Sequence, residues 1–213
     1  MEVGMLLSYG ELEGYLAEMH HVSNTKRAAL KGRLKHFQRL GWPSGTNQGK
    51  GARVQYGVGQ TLSLALGLEM LQLGLTPEKI VEQMRLGGIS LPYGFIECLD
   101  QYGPYAEPIF YAFSPEALSS FRGVDTKGEG GIGLMVSQSE LQNALSHTVL
   151  DTRRLALIDM AAVFDGYVSY FRGNGLGEAE DLREPLMSWQ KMVSDAIDKR
   201  NARLMTEVSS GDT

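Results

Sequence analysis

The chain has almost no cysteine: one, Cys98, in 213 residues. A single thiol excludes an intramolecular disulfide, so packing alone has to hold the fold, and such cysteine usage belongs to a reducing compartment. No apolar run approaches the roughly 20 residues that a bilayer-spanning helix needs. The opening segment MEVGMLLSYGELEG has no basic stretch followed by a long apolar core, so it does not read as a signal peptide. These absences imply a cytoplasmic protein without membrane contact. The most informative lack is local. From His20 to Leu68 there is no aspartate or glutamate, although the whole chain carries 25 acidic residues against 20 lysines and arginines and a net charge of -5.

Inside that acid-free interval stand Lys26, Arg27, Lys31, Arg33, Lys35, Arg39, Lys50 and Arg53. Through Arg85 there are ten basic and seven acidic residues, and beyond it ten and eighteen, so the two parts carry +3 and -8. One-signed positive charge on a small folded unit is the electrostatic footprint of a phosphate-binding module. The pattern divides the chain into a basic unit over 1–87 and an acidic unit over 88–213, the latter serving dimerisation or sensing.

Ser8 and Glu11 have the spacing of a capping box, and Leu12, Tyr15, Leu16 and Met19 recur at helical spacing, which predicts a first helix of about three turns. Ser23 or Asn24 is the next N-cap candidate, and a second helix is expected from Thr25 to Leu40, closed by Gly41 and Pro43. At about 100° per residue, Leu30, Leu34 and Phe37 share one face of it, while Ala28, Lys31, Gly32, Lys35, His36 and Arg39 share the opposite one. No acid stands at i±4 to neutralise these cations, as it would on an ordinary solvated helix. A turn-rich segment, Pro43 to Gly51, leads into the alternating run Ala52 to Tyr56 and reads as a wing of about 44–55 carrying Lys50 and Arg53. Val58 to Leu73 is strongly apolar and stops at Gly74. Thr76, Pro77 and Glu78 then supply a cap, a first-turn proline and a first-turn acid for a fourth helix through about Leu86.

The succession "SYGELEGYL", "LKHFQRLGWP", "ARVQY" and "GLEMLQLGLTPEKIVEQM" resembles the DNA-binding domain of MerR-type winged helix-turn-helix regulators over residues 6 to 86, most specifically in "LQLGLTPEKIVEQM". The resemblance implies a double-stranded DNA-binding transcription regulator that acts as a homodimer, with RNA polymerase as a further partner. The second helix is longer than the family's recognition helix, and the usual tyrosine, tyrosine, glutamate run at its start is missing. The segment Leu86 to Pro92 also interrupts the long helix through which the family dimerises, so neither that dimer nor cysteine metal sensing follows from the likeness.

From about Ser90 the pattern changes. Pro108 to Phe113, Ile132 to Val136 and Leu155 to Ile158 are strand candidates, each followed by a helical pattern: after Ser114-Pro115-Glu116, over Ser137 to Leu145, and up to about Phe171. This alternation suggests a small α/β domain with a partly parallel sheet, followed by an amphipathic C-terminal helix from about Pro185 to Val208. The expected class is therefore α+β, an N-terminal winged helix-turn-helix with a small α/β domain behind it.

Sites of chemistry are scarce. Gly45 to Lys50 misses the phosphate-loop spacing, and the glycines over 128–133 precede a strand where a dinucleotide fingerprint follows one. His20, His21, His36 and His147 pair with nothing at metal-ligand spacing. No nucleophile elbow is present, so no enzyme activity, cofactor or metal is expected, and the sequence names no small-molecule effector. In the expected complex the helix over 25–40 enters the major groove. Asn24, Thr25 and Arg27 are candidates to read bases. Lys31, Lys35, His36 and Arg39 would reach phosphates or base edges, and Lys50 and Arg53 the flanking backbone. An architectural DNA binder, or a phage or recombination accessory factor without an effector, is the alternative. A protein-binding module and a DNA-regulated enzyme rank below it.

Overall fold

The computed structural model describes residues 6–46, 54–115, 133–146 and 154–210. Lys50 and Arg53 in the wing, the glycines over 128–132 and the helix expected after Pro115 lie outside the described residues. The capping box forms as its spacing predicts: the Ser8 hydroxyl accepts from the Glu11 amide at 3.3 Å, and the Glu11 carboxylate accepts from the Ser8 amide at 2.7 Å. It opens α1 (Tyr9–Met19), just after strand β1 (Leu7–Ser8). A 3-10 turn over Asn24–Lys26 runs directly into α2 (Arg27–Arg39). Strand β2 (Gln55–Tyr56), α3 (Val58–Gln72) and α4 (Pro77–Gly87) complete the first part.

Helix ends follow the local chemistry. Gly41 and Gly74 take positive φ after α2 and α3. In each case the next amide reaches back to the helix, Trp42 to the Phe37 carbonyl and Leu75 to that of Met70, which closes the helix as a C-terminal glycine motif does. Strand β2 pairs antiparallel with β1, Leu7 opposite Tyr56, so its partner among the described residues is the N-terminal strand and not a second wing strand. The reason is hydrophobic, since Leu7 and Tyr56 are both buried.

After α4 the chain breaks at Gly87 and Gly88, as expected, but a helix restarts at once. A 3-10 turn over Gly88–Ser90 leads into α5 (Leu91–Asp100), with Pro92 in its first turn. There a proline gives up no hydrogen bond, because the first amides of a helix have no intrahelical partner. Strands β3 (Ile109–Phe113), β4 (Leu134–Ser137) and β5 (Ala156–Asp159) form one sheet in the order β4-β3-β5, and both pairings are antiparallel. The expected partly parallel sheet is thereby corrected. β4 and β5 do run the same way, but the crossover through α6 (Gln138–Ser146) places them on opposite sides of β3. Alternation of strands and helices in sequence does not require parallel neighbours. The architecture is α+β.

Asp159 caps α7 (Met160–Gly173), accepting from the Ala162 amide at 3.0 Å. α8 (Arg183–Ser210) follows a short 3-10 turn. One buried hydrophobic cluster runs from Leu7 to Leu186 and crosses residue 87 without interruption. Trp189 of α8 lies between α5, where its ring stacks on Phe95 at 6.2 Å, and α3, where it rests on Gly59. A Cβ on Gly59 would stand 2.5 Å from the indole. Gly59→Ala is expected to destabilise the protein by about 1–3 kcal/mol, the cost of overpacking, read as a lower urea midpoint at unchanged m-value. An unchanged midpoint would mean that α8 moves away freely.

Candidate nucleic-acid interface

α2 owes its position to its ends and its buried face. Leu30, Leu34 and Phe37 face the core. At its C-terminus the Phe37 ring meets Trp42 edge-on at 5.1 Å, and Trp42 packs against Gly67 of α3, where a Cβ would come within 2.8 Å of the ring. Arg85 of α4 donates to the Leu40 carbonyl at 3.0 Å, and Gln38 donates to the Tyr56 hydroxyl at 2.5 Å. Gln60 of α3 holds the Ser44 carbonyl at 2.7 Å. The helix and the start of the segment after it are thus fixed to α3, α4 and β2.

The expected site residues separate into two groups. Glu13 of α1 is buried, and it receives Arg27 Nη1 at 3.0 Å and Lys31 Nζ at 3.8 Å. His36 Nε2 meets Glu78 Oε1 of α4 at 2.9 Å. Glu78 itself is held below the usual carboxylate range, first by its own backbone amide in the first turn of α4, with Thr76 and His36 assisting. No acid stands at i±4 on α2, as expected, yet the helix has acidic partners from elsewhere in the fold. Its partners come from α1 and α4, 14 and 42 positions away in the chain, where an i±4 rule does not look. Arg27, Lys31 and His36 are engaged by the protein's own carboxylates.

Lys26, Arg33, Lys35 and Arg39 remain exposed, and none of them forms an ion pair among the described residues. Asn24 and Thr25 are exposed in the 3-10 turn, where the Thr25 hydroxyl lies 3.1 Å from that of Ser23. Between the free cations, Ala28, Ala29 and Gly32 are exposed too, and a Cβ on Gly32 would meet nothing within 4 Å. No contact among the described residues explains a glycine in the middle of this helix, where it costs about 0.5–1 kcal/mol relative to alanine. Glu13 and Glu78 are the residues that sequence reading missed; their positions, past the first turn of α1 and in the first turn of α4, carried no signal that they face α2.

Among the described residues no group of three histidines, cysteines or carboxylates is placed to hold a metal, and no helix is long and apolar enough to cross a membrane. Cys98 is buried, and burial pushes its thiol up to about 12, which makes it unreactive at neutral pH. No protein-family model, curated protein or solved structure matches the chain.

His20, at the turn between α1 and α2, is held by α3. Its Nδ1 lies 3.3 Å from Glu69 Oε1 and 3.1 Å from Gln72 Nε2. Burial, with His21 adding to it, pushes the imidazole down to about 4, so the ring is neutral at physiological pH and the Glu69 contact is not an ion pair there. An unfolded histidine titrates near 6.5. The contribution of the neutral ring to stability is therefore complete above pH 6.5 and is lost as pH falls toward about 4. His20→Gln is expected to flatten the pH dependence of the unfolding free energy across that interval. An identical slope in both proteins would show that His20 does not titrate on unfolding.

Proposed function

We propose that the chain binds double-stranded DNA as a sequence-specific transcription regulator, its first part acting as a MerR-like winged helix-turn-helix with the 3-10 turn and α2 in the major groove and the segment over 44–55 on the flanking backbone. The observation that carries this reading is the outward face of α2. Among the described residues Lys35 and Arg39 stand free on it beside the exposed Ala28 and Gly32, and a Cβ on Gly32 would meet nothing within 4 Å. Small residues let a helix approach another surface closely, and unpaired cations give the sequence-independent part of DNA affinity. Asn24 and Thr25, ahead of the first helical turn, are then the nearest candidates to read base edges, while Arg27 and Lys31 fix the helix through Glu13. One such module makes few contacts, so two on a symmetric homodimer are needed for tight specific binding.

Selection from a random duplex pool with the full chain is expected to return a shared, two-fold symmetric site. A bound pool with no shared sequence would turn the reading to the architectural alternative, and no bound pool at physiological salt would overturn it. Lys35→Ala and Arg39→Ala are each expected to weaken binding to the selected site and to random DNA by the same factor. Each should also lower the slope of log affinity against log salt by about 0.9, the loss of one phosphate contact. Gly32→Leu separates binding from folding. It is expected to raise unfolding free energy by about 0.5–1 kcal/mol through helix propensity, while DNA affinity drops at least tenfold because the side chain holds α2 off the groove. Full DNA binding by this variant would remove Gly32 from the interface.

A further inference from the structure

A groove of about 600 Å³ opens between α1, α3 and α7, beneath the turn that joins α1 to α2. Its size is that of small-molecule sites. Met19, Leu73, Leu157 and Val163 make its apolar wall, and the rings of Tyr15 and Tyr170 line it as well. Its charge is of one sign. Glu18, Glu69 and Asp159 line it, and among the described residues no lysine or arginine does.

Asp159 is stabilised as the cap at the N-terminus of α7, which leaves the charge of Glu18 and Glu69. Glu18 forms no ion pair among the described residues. The neighbour of Glu69 is His20, which is neutral, and burial raises the Glu69 carboxyl above its ordinary value. Glu18 and Glu69 also sit in the last turns of α1 and α3, neither of which carries a basic residue. A helix C-terminus is the negative end of its dipole, where acids are disfavoured and cations are stabilised. Two such ends meet at this groove. After burial, Tyr167 and Glu69 add to what keeps the Tyr15 hydroxyl protonated, and Glu11 and Glu18 do so for Tyr170 against an opposing effect of Arg27. The apolar wall, the half-buried Tyr170 and the carboxylates of Glu18 and Glu69 together suit one chemical class, an apolar or aromatic body bearing an ammonium group.

We infer that this groove is a binding site for a small organic cation, an aryl or alkyl ammonium compound, and that its occupancy adjusts the turn between α1 and α2. Met19 and His21 belong both to the groove wall and to that turn. His21 holds positive φ there, at 51°, a conformation few side chains other than glycine adopt readily. Binding itself stands apart from the DNA reading; only the coupling to α2 rests on it.

Calorimetry on the full chain tests the site without DNA, using phenethyltrimethylammonium and the similarly shaped anion phenylpropanoate. The cation is expected to bind and the anion not. Glu18→Gln combined with Glu69→Gln should weaken the cation at least tenfold. A Cβ on Gly166, in the α7 wall, would meet only Met19 Cγ, at 3.8 Å, so Gly166→Leu should fill the groove with all charges retained and abolish binding without lowering the melting temperature. Equal binding of both probes, no cation binding at millimolar concentration, or cation binding unchanged in both variants would each overturn the site. Cation binding that leaves duplex affinity unchanged would overturn the coupling alone. Loss of DNA binding by the unliganded protein would bear on the DNA reading and leave the site intact.

Discussion

The structure depends on the broad apolar face of α7. Val163, Phe164, Tyr167, Val168 and Phe171 are all buried, and they do not face a single neighbour. Tyr167 meets Tyr15 of α1 edge-on at 5.2 Å, Phe164 approaches Phe95 of α5 at 6.3 Å, and Tyr102 packs edge-on to Phe164 at 5.9 Å. Burying a large apolar side chain contributes on the order of 1.5–3 kcal/mol, so this one helix ties the first four helices to the sheet and to α5. Tyr170 adds a polar tie, donating to the Glu11 carbonyl at 3.1 Å. Through α7 the basic and acidic parts share one core, and a change in the second part has a packed path to the helix that carries the free cations.

A second constraint is the buried carboxylate of Glu13. A charge taken out of water has to be paired, and Glu13 is paired by Arg27 and Lys31 of the next helix. The pairing orients α2 on α1 and at the same time divides its cations. Those toward α1 become structural, those toward α4 include His36 on Glu78, Lys35 and Arg39 face outward beside Ala28 and Gly32, and Arg33 is exposed about 120° further round the helix. The positive surface is thus narrower than the residue count suggests, and Lys35 and Arg39 are its part beside the small residues.

Much of this organisation was legible in the residues. Ser8 with Glu11, Gly41, Gly74, and Thr76 with Pro77 mark helix ends through chemistry that acts over a few positions, and each end falls where these residues put it. The strands β3 to β5 and the long last helix were visible as well. α5 was not, because Gly87, Gly88 and Pro92 read as a break, and a break says nothing about what begins behind it. Trp189 was readable as apolar, but its seat on Gly59 was not, since contact between α3 and α8 joins positions 130 residues apart.

By itself, the sequence determined the local events: where helices start and stop, which faces are apolar, the mixed α+β class, and the concentration of positive charge between Lys26 and Arg53. These rest on short-range backbone hydrogen bonds and on periodicity, which any single stretch of chain carries. Tertiary structure alone decided that the sheet is antiparallel, that Glu13 and Glu78 take Arg27, Lys31 and His36 out of the free cation set, and that two acid-bearing helix ends meet at one groove. Each of these is a meeting of groups far apart in the chain, and pairing of charges in space obeys distance and burial, not sequence separation.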